Sequence, residues 1–142
     1  MDNQKMIHIL LVEDDDVAAE AVQRGLTKSG ITFPVTLAID GLEALEILNG
    51  IHVTKQIAKP YIILLDLNMP RMNGFDFLHE LRGNLKLRES VIFVLTTSDS
   101  DTDRSKAYHE NIAGYMVKSA VGPQFSKLVQ LLKDYHAAIS LP

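Results

Sequence analysis

Apolar and polar positions fall in blocks along this chain, and their period switches repeatedly between that of a strand and that of a helix. Ile7, Ile9, Leu10, Leu11 and Val12 form a first apolar run. Val35, Leu37 and Ile39 recur at every second position, as on one face of a second strand. Tyr61–Leu65 is a third run, Val91–Leu95 a fourth and Gly114–Val117 a short fifth. A run that is apolar at consecutive positions suits a parallel strand covered on both faces.

Helical periods separate these runs. Ala18, Ala21, Val22, Gly25 and Leu26 share one face of a first helix, which Ser29-Gly30 punctuates. Leu42, Leu45 and Leu48 mark a second, stopped near Asn49-Gly50. Phe75, Leu78 and Leu81 mark a third, beginning just after Asn73-Gly74. Residues 101–110 form a weaker, more polar fourth, and Phe125, Leu128, Val129, Leu132 and Tyr135 a strong fifth. The stretch 49–60 is a longer connection, expected to be exposed. Strand–helix alternation with right-handed crossovers gives an α/β domain with a parallel sheet and helices on both faces. The strand order 2-1-3-4-5, with five flanking helices, is adopted from the doubly wound, flavodoxin-like class.

Composition narrows the function. The 142 residues suit one domain, taken here as 1–142. Lys and Arg number 14 against 18 Asp and Glu, a net charge of −4 that gives no general reason to bind nucleic acid. The chain has no cysteine, which excludes disulfide scaffolds, thiolate-bound zinc, iron–sulfur clusters and thiol catalysis. Met1–Lys5 lacks the apolar segment of a signal peptide, and the longest apolar runs are too short to span a bilayer. The expectation is a cytoplasmic domain with no membrane or nucleic-acid partner.

In such sheets the reactive crevice lies at the carboxyl ends of the strands. Glu13-Asp14-Asp15-Asp16 follows the first strand, Asp66-Leu67-Asn68-Met69-Pro70 the third, Thr96-Thr97-Ser98 the fourth and Lys118 the fifth. Each has an ordinary reading. Asp15 or Asp16 can cap the first helix. Asp66, Asn68 and Pro70 can simply turn the chain. Thr96 can be a β-branched strand terminus, and Lys118 a surface lysine. Capping does not explain Glu13 and Asp14, whose carboxylates would repel one another unless a hard divalent cation such as Mg²⁺ or Mn²⁺ neutralised them. Asp66 follows four apolar residues at the sheet centre, where a carboxylate needs a partner. A metal and Lys118 would supply one. A carboxylate so placed can attack a phosphoryl group to form an aspartyl phosphate. The five histidines are scattered, and Met69 and Met72 read as packing.

These residues carry a resemblance. From about Ile7 to Tyr135 the chain resembles a two-component response-regulator receiver domain. The matching segments are Ile9-Leu-Leu-Val-Glu-Asp14, Asp40-Gly-Leu-Glu-Ala-Leu45, Asp66-Leu-Asn-Met-Pro-Arg-Met-Asn-Gly74, Val94-Leu-Thr-Thr97 and Gly114-Tyr-Met-Val-Lys118. Within that family the chain is similar to the small receivers paired with bacterial phytochromes.

The resemblance implies a single-domain regulator with no output domain, and it implies residue roles. Asp66 would accept phosphate from a sensor histidine kinase. Asp14 would bind Mg²⁺ directly, Glu13 would assist, and Asp66 and the Asn68 main-chain carbonyl would complete the metal site. Thr96 and Lys118 would hold phosphoryl oxygens, and Tyr115 would be the switch aromatic, turning inward as Thr96 moves. The switched surface would be helix four, strand five and helix five. That face could also form a homodimer, with Leu131 and Ala138 in the contact.

Two positions depart from the family pattern: Ser119 stands where proline is usual, and Thr97 where a small residue is usual. Ser119 leaves the loop before helix five undetermined, and Thr97 would be a bulkier gate. A flavin binder of the same architecture is disfavoured by the carboxylates after strand one. A haloacid-dehalogenase-like phosphatase would use Asp14 as nucleophile and leave Asp66 unexplained. A phosphorylation-independent scaffold remains the third alternative.

Overall fold

The computed structural model describes residues 7–28, 30, 32–69, 72–117, 130–134 and 141–142. Its elements alternate as expected: β1 (His8–Val12), α1 (Asp16–Lys28), β2 (Val35–Ala38), α2 (Gly41–Leu48), β3 (Tyr61–Leu65), α3 (Gly74–Gly83), β4 (Val91–Thr96), α4 (Asp101–His109) and β5 (Gly114–Val117). Residues 130–134 are helical, within the stretch whose periodicity predicts a fifth helix. The strands form one parallel sheet in the order β2-β1-β3-β4-β5.

The unbroken apolar runs are explained by two cores. Leu10, Val12, Ile63, Leu65, Ile92 and Val94 point to the face covered by Ala44 and Ile47 of α2, Phe77, Leu78 and Leu81 of α3, and Ala107 of α4. Ile9, Leu11, Ile62, Leu64, Phe93 and Leu95 point to the other face, covered by Ala19, Val22 and Leu26 of α1 and by Leu132. Successive side chains of one strand thus enter different cores, so β3 is apolar from Ile62 to Leu65, and Tyr61 places its hydroxyl on Ser90 at 2.7 Å.

Helix starts follow from short polar side chains. Asp40, Asn73 and Ser100 cap α2, α3 and α4, each accepting the N–H three residues on, from Glu43, Asp76 and Asp103. Gly74 is the first residue of α3, with no room for a side chain. A Cβ there would lie 2.6 Å from Leu67 Cα and 2.7 Å from the Asp66 carbonyl oxygen. Gly83, in the last turn of the same helix, has open space around it. Gly74→Ala should therefore cost about 1–3 kcal/mol by overpacking. Gly83→Ala should be neutral or stabilising by up to ~1 kcal/mol. Urea unfolding of both variants checks the contrast.

The connection 49–60 is not the wholly exposed loop expected from its composition. It folds back along the sheet as a strap over β2. Pro34 and Ala38 carbonyls accept from β1, so the Leu37 carbonyl points away from the sheet. Lys55 Nζ donates to it at 2.7 Å and to Glu43 Oε1 at 3.1 Å. Two N–H groups, of Thr54 and Lys55, donate to His52 Nδ1. That makes Nε2 the protonated nitrogen, and it faces Glu43 Oε2 at 3.2 Å. The strap so occupies the outward Leu37 carbonyl of the edge strand, a group that could otherwise pair with another chain. The second strand is also shorter than its alternation suggests. It ends at Ala38 because the Ile39 N–H donates to Glu43 Oε1, leaving Ile39 46% exposed.

Glu43 gives the fold a pH dependence. Burial pushes its carboxyl up. The hydrogen bond from Ile39 and the contacts with Lys55 and His52 outweigh burial and hold it below its ordinary 4.5. A depressed carboxyl contributes stability above the unfolded-state value, lost as pH falls through the folded one. The difference in urea midpoint between wild type and Glu43→Gln should be constant above about pH 5.5 and shrink below 4.5.

Candidate functional site

The carboxyl ends of the central strands bring the acidic residues together. Glu13 follows β1, and its N–H stays in the ladder, donating to Ala38. Asp66 follows β3, with its own N–H donating to the Val12 carbonyl. Both backbones are therefore held by the sheet rather than by a free loop. Glu13 is 2% exposed and Asp66 7%, whereas Asp14 is exposed. One carboxylate oxygen of each of Glu13, Asp14 and Asp66 lies within 4.8 Å of the others. This is the cluster expected from the sequence. The ambiguity in the acidic run is resolved by Asp15, whose Oδ1 accepts the N–H groups of Val17 and Ala18 and so caps α1. That leaves Glu13 and Asp14 for the cleft.

Like charges this close, with low-dielectric walls on one side, repel more strongly than in water. Three carboxylates, all oxygen donors, with one member open to solvent, form a donor set that fits a hard divalent cation such as Mg²⁺ or Mn²⁺. Asn68 is exposed, on the turn that leaves Asp66. Its N–H donates to Asp66 Oδ1 at 3.3 Å, which orients the carboxylate. The turn is clamped from α2, where the Gly41 N–H donates to the Met72 carbonyl and Met72 fills the space above Gly41. Met69 and Met72 thus pack, as expected.

On the other side of Asp66 the register pairs Leu65 with Val94, which brings the end of β4 alongside. Thr96 is fully buried there, and its Oγ1 accepts the Ser98 N–H at 3.4 Å. Thr97, the bulkier gate of the sequence reading, is exposed. Thr96 pairs in turn with Val117 of β5. Lys118 and Ser119, and with them the loop before the fifth helix, lie outside the described residues, as does Ala138. Tyr115 lies on β5 against the α3–α4 core, and its hydroxyl donates to the Ser98 carbonyl at 2.9 Å. Threonine and tyrosine therefore meet at one residue, Ser98.

Sequence reasoning missed two groups near this end. Arg104 of α4 stacks on Tyr115, its guanidinium carbon 5.3 Å from the ring centroid. The Ser98 hydroxyl donates to Asp103 Oδ2 at 2.6 Å, tying the β4–α4 loop to the first turn of α4. Neither has a periodic signature; an Asp-x-x-Arg spacing at Asp101 and Arg104 signals only their mutual ion pair.

Comparison with known proteins gives a consistent picture. Residues 9–133 match the family model described as the response regulator receiver domain. The response regulator Rcp1 of Synechocystis sp. is 33% identical over 127 residues, which span 89% of this chain and 86% of that protein. The probable methanogenesis regulatory protein FilR2 of Methanothrix harundinacea is 32% identical over 127 residues, spanning 89% of this chain and 81% of that protein. The phosphorylated cyanobacterial phytochrome response regulator RcpA superposes with a TM-score of 0.82 at 29% identity, covering 97% of this chain and 99% of that one. The Mn²⁺-bound form of Rcp1 superposes with a TM-score of 0.80 at 32% identity, with the same coverage. The acidic cleft, the parallel sheet that builds it and these matches agree that the chain belongs to the response regulator receiver domain family of two-component systems.

Proposed function

We propose that this chain is a phosphoacceptor switch, in which Asp66 takes a phosphoryl group from a histidine kinase in the presence of Mg²⁺. The observation that carries the proposal is the convergence of Glu13, Asp14 and Asp66 at the carboxyl ends of β1 and β3. An Asp66 carboxylate oxygen attacks the phosphorus of a phosphohistidine. The phosphorus–nitrogen bond breaks, the imidazole keeps the electron pair, and an acyl phosphate remains on Asp66. Water later cleaves it to the carboxylate and inorganic phosphate. The domain is no enzyme toward an outside substrate; it assists only its own phosphorylation and dephosphorylation.

Glu13, Asp14, Asp66 and the Asn68 carbonyl are the residues that would hold the metal. When bound, Mg²⁺ neutralises charge that would otherwise repel the incoming phosphoryl group. The Thr96 hydroxyl donates to one phosphoryl oxygen and the Lys118 ammonium to another. Thr96 accepts the Ser98 N–H, and Ser98 carries the hydroxyl of Tyr115 on its carbonyl, so a shift of Thr96 toward the phosphoryl group pulls on that loop. The phosphoryl group therefore favours a rearranged β4–α4 loop by binding that arrangement better.

The readout surface is α4, β5 and the fifth helix. A cavity of about 290 Å³ opens there, lined by Phe93, Tyr108, Tyr115, Met116 and Leu131 among others. It supports docking of a partner or a second copy of the domain. Similarity to the cyanobacterial phytochrome response regulator RcpA supports a phytochrome-like sensor kinase as donor.

Incubation with acetyl phosphate should test this. With Mg²⁺, intact mass should show one alkali-labile phosphoryl adduct, absent when EDTA removes the metal. An adduct that forms equally well in EDTA would contradict the reading.

A further inference from the structure

We propose that Arg104 is a positioning residue for the switch: its guanidinium, stacked on Tyr115, sets how much of the unphosphorylated protein keeps the Tyr115 hydroxyl on the Ser98 carbonyl. This rests on the reading of Asp66 as phosphoacceptor and concerns what biases the domain before phosphate arrives.

Tyr115 is only partly buried, so packing alone does not fix its ring. Its inner side meets the α3–α4 core and its hydroxyl has a single backbone acceptor. Arg104 sits 5.3 Å from the ring centroid, within the range where a cation is drawn to an aromatic face. Arg104 does not hang free. Asp101, one turn earlier on α4, accepts from its Nη1 at 2.8 Å, and the same turn is tied to Ser98 through Asp103. Cation, ring and acceptor loop are thus all referred to one helix turn. The ring position that Arg104 favours is the one that binds Ser98, and Ser98 is where Thr96 is also held.

A contact of this kind at a partly exposed site is worth a factor of about two to five in an equilibrium. By linkage, a contact that holds the Ser98-bound arrangement opposes the rearranged loop that the phosphoryl group favours, and so opposes phosphorylation.

The test is a double-mutant cycle of wild type, Arg104→Gln, Tyr115→Leu and the double variant. It is read by the initial rate of adduct formation with acetyl phosphate and Mg²⁺. Arg104→Gln should raise that rate about two- to fivefold in the wild-type background and leave it unchanged in the Tyr115→Leu background. The second readout does not need phosphate. The chain has four tyrosines, so fluorotyrosine labelling gives few fluorine lines, with Tyr115 assigned by its loss in Tyr115→Phe. That line should move in Arg104→Gln without any phosphodonor. An unmoved line with an unchanged rate overturns the proposal, as does a slower rate or an equal change of rate in both backgrounds. If the line moves but no protein takes up phosphate, the clamp stands and the phosphoacceptor reading falls.

Discussion

Asp66→Asn is expected to abolish the phosphoryl adduct, because an amide oxygen in that position has no negative charge with which to attack phosphorus. The variant should keep its fold. Asn preserves the shape of Asp, the Asp66 N–H to Val12 ladder bond does not involve the side chain, and the amide oxygen can still accept the Asn68 N–H. Removing one of three crowded carboxylates should even relieve repulsion, so the urea midpoint is expected to stay or rise. Asp14→Asn makes the complementary case. It leaves the nucleophile in place and removes an exposed metal donor. Adduct formation should slow on the order of 100-fold, the scale seen when one preorganised electrostatic stabiliser is lost, and higher Mg²⁺ should restore part of it. A haloacid-dehalogenase-like chemistry would reverse this pattern, with the adduct lost through Asp14 and kept in Asp66→Asn.

The second large effect concerns stability and lies far from the cleft. Arg82, near the end of α3, donates to four backbone carbonyls: Glu110 at 2.7 Å, Arg88 at 2.7 Å, Ser90 at 2.8 Å and Asn111 at 3.0 Å. Burial pushes its pKa down and the Glu110 carboxylate opposes that, so the group keeps its charge at ordinary pH. One planar fork thus staples the α3–β4 connection to the turn after α4, where Asn111 has a left-handed φ of 60°. Arg82→Met should cost roughly 2–4 kcal/mol, since several carbonyls lose a charged donor and keep only what water can offer. Lys in its place should recover only a minor part, because one ammonium cannot span four separated acceptors. Urea unfolding measures both, with adduct formation as a check that the cleft survives.

The contrast between these two sites shows what the residues reveal before folding. The sheet was legible because each strand is a short apolar block and each helix a period, both set by local burial. The cleft was legible because its residues follow strand ends, and strand order then forces them together. Their capping alternatives were not separable from spacing alone. Only the structure assigns Asp15 to α1 and leaves Asp14 to the cleft. Arg82 and the Glu43–His52–Lys55 strap were not legible. Their partners sit at no helical or strand spacing, and many are backbone atoms, which carry no residue signature. The Arg104–Tyr115 contact was missed for the same reason, since it joins a helix to a strand across a loop.

The central claim is that the phosphoryl group resides on Asp66 itself. Borohydride reduces an acyl phosphate to the alcohol, which converts a phosphorylated aspartate into homoserine and leaves free carboxylates intact. Wild-type protein treated with acetyl phosphate and Mg²⁺, then reduced and digested, should yield homoserine at position 66 in the peptide that follows β3. Homoserine at position 14, or a stable phosphate on a serine, threonine or histidine with Asp66 unmodified, would contradict the account.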